Sequence, residues 1–144
     1  MNIINCIITY DSKHVISLSV DDRTIHSKIV EHDLVTFEQK FELDIKGSWV
    51  VMNEIEQNND GAVFCVPYSD NGSLTALIFD NTGKVLDTLD LNKEFSVEPE
   101  SKPIFGFFYP MVTACFVKDD NIFISAYLRE SFTQYNSIYS YKEH

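Results

Sequence analysis

The sequence has few of the residues that interrupt regular structure. Its 144 residues include 5 glycines and 4 prolines, against a hydrophobic content of 44%. This composition excludes collagen-like and low-complexity chains and is typical of a folded globular protein. The length suits one structural unit, so we expect a single domain over residues 1–144.

Cysteines and long apolar runs are also scarce. The three cysteines, Cys6, Cys65 and Cys115, are an odd number spread along the chain, which argues against a disulfide framework. Each lies among apolar residues, so we expect buried free thiols. No stretch approaches the roughly 18 to 20 consecutive apolar residues of a membrane helix, and the first ten residues lack the features of a signal peptide. We therefore expect a soluble, cytoplasmic protein.

Basic residues are outnumbered two to one, with 11 lysines and arginines against 22 acidic residues. Residues 51–100 hold 10 acidic and 2 basic residues, whereas residues 101–144 hold 4 of each. Such a charge distribution repels phosphate backbones and anionic lipid surfaces and attracts basic proteins. We expect a basic protein partner, and neither nucleic acid nor a membrane. The alternative is that the acidic surface serves only solubility.

Alternation of apolar and polar residues dominates the chain and predicts strands rather than helices. The predicted strands cover residues 3–10, 14–20, 24–30, 35–43, 49–55, 62–68, 74–79, 84–91, 111–117, 122–128 and 135–141. Turn-forming residues at 58–61, 70–73 and 81–83 connect sequence neighbours and predict antiparallel meanders. We expect at most one short helix, within residues 90–100.

The chain also contains an internal repeat in which a polar turn precedes an apolar strand. The turns are residues 11–13, 59–61 and 119–121, and the strands begin at residues 14, 62 and 122. The steps between them are 48 and 60 residues, and the irregular stretch 92–103 accounts for the 12 extra residues. Three similar strand meanders are therefore predicted.

A period of about 40 to 50 residues with several strands per unit resembles the blades of β-propellers. Residues 18–25 and 77–86 resemble the hairpins of WD-type blades, although the Gly-His pair and the Trp-Asp dipeptide of that family are absent. Three blades cannot close a ring, because propellers usually have four or more. The alternatives are an open half-propeller-like stack or sandwich, a dimer that completes six units, and part of a larger assembly. We favour the open, all-β stack.

Signature motifs of common enzymes are absent, among them the P-loop, the Gly-x-Ser-x-Gly elbow and the His-Glu-x-x-His zinc motif. We expect no enzyme and no cofactor. One cluster, His26, Glu31, His32 and Asp33, could suggest a metal or an acid–base pair. Residues 26 and 32 are too far apart along a strand to converge, and no cysteine lies nearby, so we expect no metal site.

The stretch 92–110 is the predicted partner-binding segment, because long irregular connections in compact domains are often functional. It places acidic residues beside aromatic ones, the composition of a binding hot spot. The candidate contact residues are Asp87, Asp90, Glu94, Glu98, Glu100, Phe105, Phe107 and Tyr109. The alternative is that residues 105–109 form a buried strand under an ordinary surface loop.

These features together favour a non-enzymatic binding or inhibitory protein that docks on a basic partner and occludes it. In size and acidity the chain resembles the bacterial immunity proteins, which neutralise nuclease toxins whose active sites are basic. A second interpretation is a β-propeller-like scaffold subunit that associates with itself or with similar units. A third, an enzyme with an unfamiliar carboxylate site, would require a deep pocket lined by two facing acids.

Overall fold

A computed structural model describes residues 2–21, 26–45, 50–52, 55–70, 73–98, 111–128 and 133–141. The described residues form twelve strands and one short helix. The strands are β1 (Asn2–Ile8), β2 (His14–Asp21), β3 (His26–Asp33), β4 (Gln39–Ile45), β5 (Val50–Met52), β6 (Glu56–Gln57), β7 (Val63–Asp70), β8 (Ser73–Asp80), β9 (Val85–Asp90), β10 (Met111–Lys118), β11 (Asn121–Tyr127) and β12 (Gln134–Ser140), and the helix is α1 (Leu91–Glu94).

The strands form three open antiparallel sheets, each a meander in chain order. The first sheet is β1-β2-β3-β4, the middle sheet is β5-β7-β8-β9, and the third is β10-β11-β12. Strand β6 also pairs with β7, beside residues 64–65, while β5 pairs beside residues 68–70. Because β8 occupies the other edge of β7, β5 and β6 together act as one divided edge strand.

The predicted all-β architecture of about three meander units is confirmed. Each strand of the sequence repeat is the second strand of its sheet, namely β2, β7 and β11. The expected short helix is also present, with the carboxylate of Asp90 accepting a hydrogen bond from the backbone N–H of Lys93 at its start. Among the described residues, no helix has the length and apolar character needed to cross a membrane.

The middle sheet has apolar side chains on both faces. Phe64, Val66, Leu77 and Phe79 pack with residues of the first sheet such as Ile16, Leu18 and Ile29. The alternate residues Cys65, Ala76 and Ile78 pack with residues of the third sheet such as Cys115, Ile122 and Ile124. Successive side chains of a strand point to opposite faces, so the middle sheet lies between the other two.

Double-sided burial explains why β7 and β8 are nearly continuous apolar sequences rather than alternating ones. A strand with one solvated face alternates, whereas a strand covered on both sides has no position that needs a polar residue. The edge of this sheet is fixed by α1, in which Leu91 is buried and the Asn92 side chain accepts a hydrogen bond from the backbone N–H of Leu74 at 2.7 Å.

Two strand predictions are wrong in their bounds. The strand predicted over residues 35–43 begins at Gln39, because the Asp33 carboxylate binds the backbone N–H groups of Val35 and Thr36 and holds a turn there. Of the strand predicted over residues 49–55, the described residues show Val50–Met52 (β5), and β6 (Glu56–Gln57) lies just beyond the predicted end. The expectation of three buried thiols is wrong for Cys6, which is exposed, whereas Cys65 and Cys115 are buried with their sulfur atoms 4.0 Å apart.

Gly83 places the β8–β9 turn directly against the first sheet. Its φ is +85°, and a Cβ atom built there would lie 2.6 Å from Cγ of Phe41. Gly61 also has positive φ, at +67°, but a Cβ atom there would meet no atom closer than 3.4 Å. The two glycines therefore share a left-handed backbone, and they differ in how closely a neighbouring residue approaches them.

We predict that Gly83→Ala lowers the free energy of unfolding by about 2 to 4 kcal/mol, from left-handed strain plus the clash with Phe41. Gly61→Ala, the matched control, should cost about 1 to 2 kcal/mol from strain alone. Urea unfolding of both variants measures the difference. Equal losses would show that Gly83 does not fix the contact between the sheets.

Candidate functional site

One end of the first and middle sheets gathers four connecting turns, residues 9–13, 34–38, 58–62 and 81–84, which we call the turn end. The backbone N–H of Leu34 binds the carbonyl of Lys13 at 2.9 Å. The Gln57 side chain accepts from the N–H of Tyr10 and donates to the carbonyl of Ile8, both at 3.0 Å. Hydrogen bonds thus join the turns of the two sheets.

Two aspartates fix the turns of the first sheet. One carboxylate oxygen of Asp11 accepts from the Thr9 hydroxyl at 2.5 Å and from the N–H of Lys13 at 2.9 Å. Those hydrogen bonds, the Thr9 one first, lower the pKa of Asp11. Backbone hydrogen bonds from Thr36 and Val35 likewise lower the pKa of Asp33. Both groups therefore stay ionised at neutral pH.

Glu31 is an acidic residue on the buried face of the first sheet. It follows Ile29 by two positions in β3, so both side chains point towards the middle sheet, and it is only 2% exposed. Its Oε2 atom has no hydrogen-bond partner among the residues that the structure describes. Burial raises the pKa of Glu31, with a smaller opposing effect from His14 and Lys40.

His14 lies opposite Asp33 in the β2–β3 register and contacts three carboxylates. Its Nδ1 atom is 3.6 Å from Oε1 of Glu31 and 3.7 Å from Oδ2 of Asp11, and its Nε2 atom is 3.9 Å from Oδ2 of Asp33. These distances are too long for good hydrogen bonds. His14 therefore forms no close hydrogen bond with these three carboxylates, and open space lies between the side chains.

That space is a cavity of about 130 Å³ between the first and middle sheets. It is lined by Thr9, Asp11, His14, Glu31, Lys40, Gly61 and Asn81. Pockets that enclose small-molecule ligands are commonly about 300 to 1,000 Å³, so this one suits a single small polar group. Among the described residues, no set of three or more His, Cys, Asp and Glu side chains is arranged to hold a metal ion.

Large apolar side chains are exposed on the same end of the molecule. Ile8 is 57% exposed, Tyr10 61%, Val35 83% and Phe37 75%. Ile8 and Tyr10 lie in or beside the turn 9–13, which also holds Asp11, and Val35 and Phe37 lie in the turn 34–38. Phe37 also has a positive φ of 61°, which is unusual for a bulky residue.

Four of the eight contact residues predicted from the sequence lie elsewhere, towards the other end of the middle sheet, with Asp87 and Asp90 on β9, Glu94 on α1 and Glu98 after it. Asp87 is half-buried and accepts a hydrogen bond from the Tyr139 hydroxyl at 2.5 Å, and Asp90 binds the start of α1. Glu94 and Glu98 are exposed. The remaining four, Glu100, Phe105, Phe107 and Tyr109, lie outside the described residues.

In the sequence, Glu31 and Asp33 belong to a cluster with His26 and His32, whereas in the structure they lie beside His14. The signal that could have found the site is hairpin register. In the register of β2 and β3, His14 falls opposite Asp33 and Ile16 opposite Glu31. Glu31 then lies on the face that carries Ile16, Leu18 and Ile29, where a carboxylate is out of place.

A third surface is the outer face of the third sheet. Phe116, Phe123 and Ile138 are neighbours across β10, β11 and β12, and Phe116 and Ile138 are 61% and 70% exposed. The outer face of the first sheet is polar by contrast, with Lys28 paired to Glu42 and 4.0 Å from Asp44. The two ends of the stack of sheets are therefore chemically different.

Comparison with protein-family models found no family that matches this sequence. Comparison with curated proteins found no match either. A functional assignment must therefore rest on the chemistry of the surfaces described above.

We predict that Glu31→Gln stabilises the protein at pH 7 by about 1 to 2 kcal/mol, because a buried carboxylate lacking a partner is replaced by a neutral amide. A raised folded pKa makes Glu31 favourable only when it is protonated. That contribution is present below its ordinary value of 4.5 and is lost as the pH rises through the folded pKa. The gain should therefore shrink towards pH 4.

Urea unfolding at pH 7 and pH 4 measures both effects. Glu38→Gln, the same change at an exposed position of the same hairpin, should alter stability by less than about 0.5 kcal/mol. A loss of stability in Glu31→Gln at pH 7 would contradict an unpaired buried carboxylate.

Proposed function

We propose that this chain is a non-enzymatic binding protein that docks on a basic protein and occludes it, in the manner of an immunity protein acting on a nuclease toxin. The observation that carries the proposal is the exposed apolar group of the turn end, with acidic residues around it. Apolar and aromatic centres with polar rims are the usual composition of binding hot spots.

The apolar group is not explained by the fold. Scattered exposed apolar residues are normal, whereas several in adjacent turns form a patch. Phe37 adds a further cost, since a bulky residue with positive φ is strained by about 1 to 2 kcal/mol. A strained aromatic residue that is 75% exposed gives the folded state little in return. Contact with a partner would account for it.

Charge favours a basic partner. The chain has a net charge of −11, and Asp11 and Asp33, whose pKa values are lowered further below neutral pH, are charged at the turn end. A field of this sign accelerates association with positive surfaces. Preorganised turns also reduce the entropy lost on binding, because their backbones are already hydrogen-bonded.

We predict that Phe37→Asn weakens partner binding by at least about tenfold. Asparagine tolerates positive φ better than phenylalanine, so the variant should be as stable as the original or more stable. Ile138→Asn, which removes an exposed apolar residue from the third sheet, should bind normally. Capture from the native host identifies the partner, and calorimetry compares the variants.

The captured partner should be basic, and its affinity should fall as the salt concentration rises from about 0.05 to about 0.5 M. An acidic partner, or affinity that salt does not change, would contradict the proposal.

The double variant Glu94→Gln/Glu98→Gln tests the acidic edge at β9 and α1. If that variant loses binding and Phe37→Asn does not, the contact lies at the other end of the middle sheet.

The apolar outer face of the third sheet favours a second candidate, a propeller-like scaffold unit that stacks on a further sheet. Sheets with apolar side chains on both faces are stable only when both are covered. This candidate predicts self-association at high protein concentration that Ile138→Glu abolishes and Val35→Glu does not. Size-exclusion chromatography with light scattering measures it, and a monomer at every concentration would contradict it.

A further inference from the structure

We propose that the cavity of the turn end binds one alkylguanidinium or alkylammonium group between the carboxylates of Glu31 and Asp11. The proposal deepens the proposed function and rests on it for the source of the cation, a side chain of arginine or lysine on the basic partner. A free small molecule with the same group would present the same chemistry. The experiment below separates these two sources.

Glu31 supplies the main argument. The residue is 2% exposed and lines the cavity, and its Oε2 atom accepts no hydrogen bond from the described part of the chain. A buried carboxylate without a partner is costly, and the fold does not need one at a position that shares its face with Ile16 and Ile29. A donor from outside the chain would satisfy Oε2, and a cationic donor would also favour the ionised carboxylate.

Asp11 supplies a second carboxylate with one oxygen to spare. Its Oδ1 atom is used by Thr9 and Lys13 in the turn, whereas Oδ2 is 3.7 Å from His14. Both Oδ2 of Asp11 and Oε1 of Glu31 approach Nδ1 of the same imidazole. The two carboxylates therefore lie near each other beside His14, and both line the cavity, so the several donors of one guanidinium or ammonium group could reach both.

The size of the cavity restricts the ligand. A volume of about 130 Å³ is room for about four water molecules at liquid density. A guanidinium group has four heavy atoms, so it would fill the space, with its alkyl stem leading outwards. An ammonium group would fit with water beside it.

Of the described residues that line the cavity, Lys40 is the only lysine or arginine. It favours the ionised form of Glu31 through its charge, but it forms no ion pair within 4.0 Å of Glu31 in the described structure. An incoming cation would be repelled by it. Removing the charge of Lys40 should therefore strengthen cation binding, an effect that a purely structural role for Glu31 would not produce.

The test uses the full chain and three probes of one shape, namely n-butylguanidinium, n-butylammonium and the neutral n-butylurea, followed by NMR. One or both cations should give saturable shifts at the amides of Thr9, His14, Gly61 and Asn81, with a Kd on the order of millimolar. The urea should give none. Glu31→Gln should weaken binding at least about tenfold, Lys40→Gln should strengthen it, and Glu94→Gln should leave it unchanged.

Absence of saturable shifts, or equal binding by Glu31→Gln, would overturn the proposal. If Glu31→Gln fails to fold, the Lys40→Gln comparison decides, because weaker or unchanged binding there contradicts the cation site.

Partner capture separates the sources. If a basic partner binds the Glu31→Gln variant normally, then a side chain of that partner does not occupy the cavity. The proposed function would still stand. Probe binding without any basic partner would support the cavity as a site for a free ligand and would refute the proposed function.

Discussion

Burial of both faces of the middle sheet is the constraint on which the rest of the fold depends. Phe64 and Phe79 need the first sheet to cover them, and Cys65 and Ile78 need the third. Neither neighbour can be removed without exposing half of this core. The order of the three sheets and the tight β8–β9 turn at Gly83 follow from that requirement. The meeting of turns from the first and middle sheets at one end follows from it as well.

The turn end is a consequence of this stacking and also the place where the sequence departs from what folding requires. Alternate turns of an antiparallel meander lie at the same end of its sheet, and in the first sheet Asp11 and Asp33 accept hydrogen bonds from backbone N–H groups of those turns. Glu31 and Phe37 differ from these aspartates. Glu31 leaves a buried carboxylate oxygen without a partner in the described part of the chain, and Phe37 holds an aromatic ring in solvent on strained backbone. Residues that cost stability without serving the core are commonly retained for function.

The period-2 pattern was sufficient to predict most strands, the meanders and the repeat, because each depends on neighbours in sequence. The predicted strand 35–43 begins before the observed one, because Val35 and Phe37 alternate with polar residues as strand residues do. The pattern does not reveal the hydrogen bonds to Asp33 that hold the turn. The site could not be predicted in the same way. It depends on the register that sets His14 opposite Asp33, and on contact with Gly61 and Asn81 of another sheet.

The central claim is that Glu31 is a carboxylate held in a costly position until a cation reaches it. NMR titration of its side-chain carboxyl carbon measures this directly. The account predicts a midpoint above the ordinary value of 4.5 in the free protein, and a lower midpoint when n-butylguanidinium is present, since a bound cation favours the ionised form. A midpoint at or below 4.5 in the free protein, or one that the cation does not lower, would contradict it.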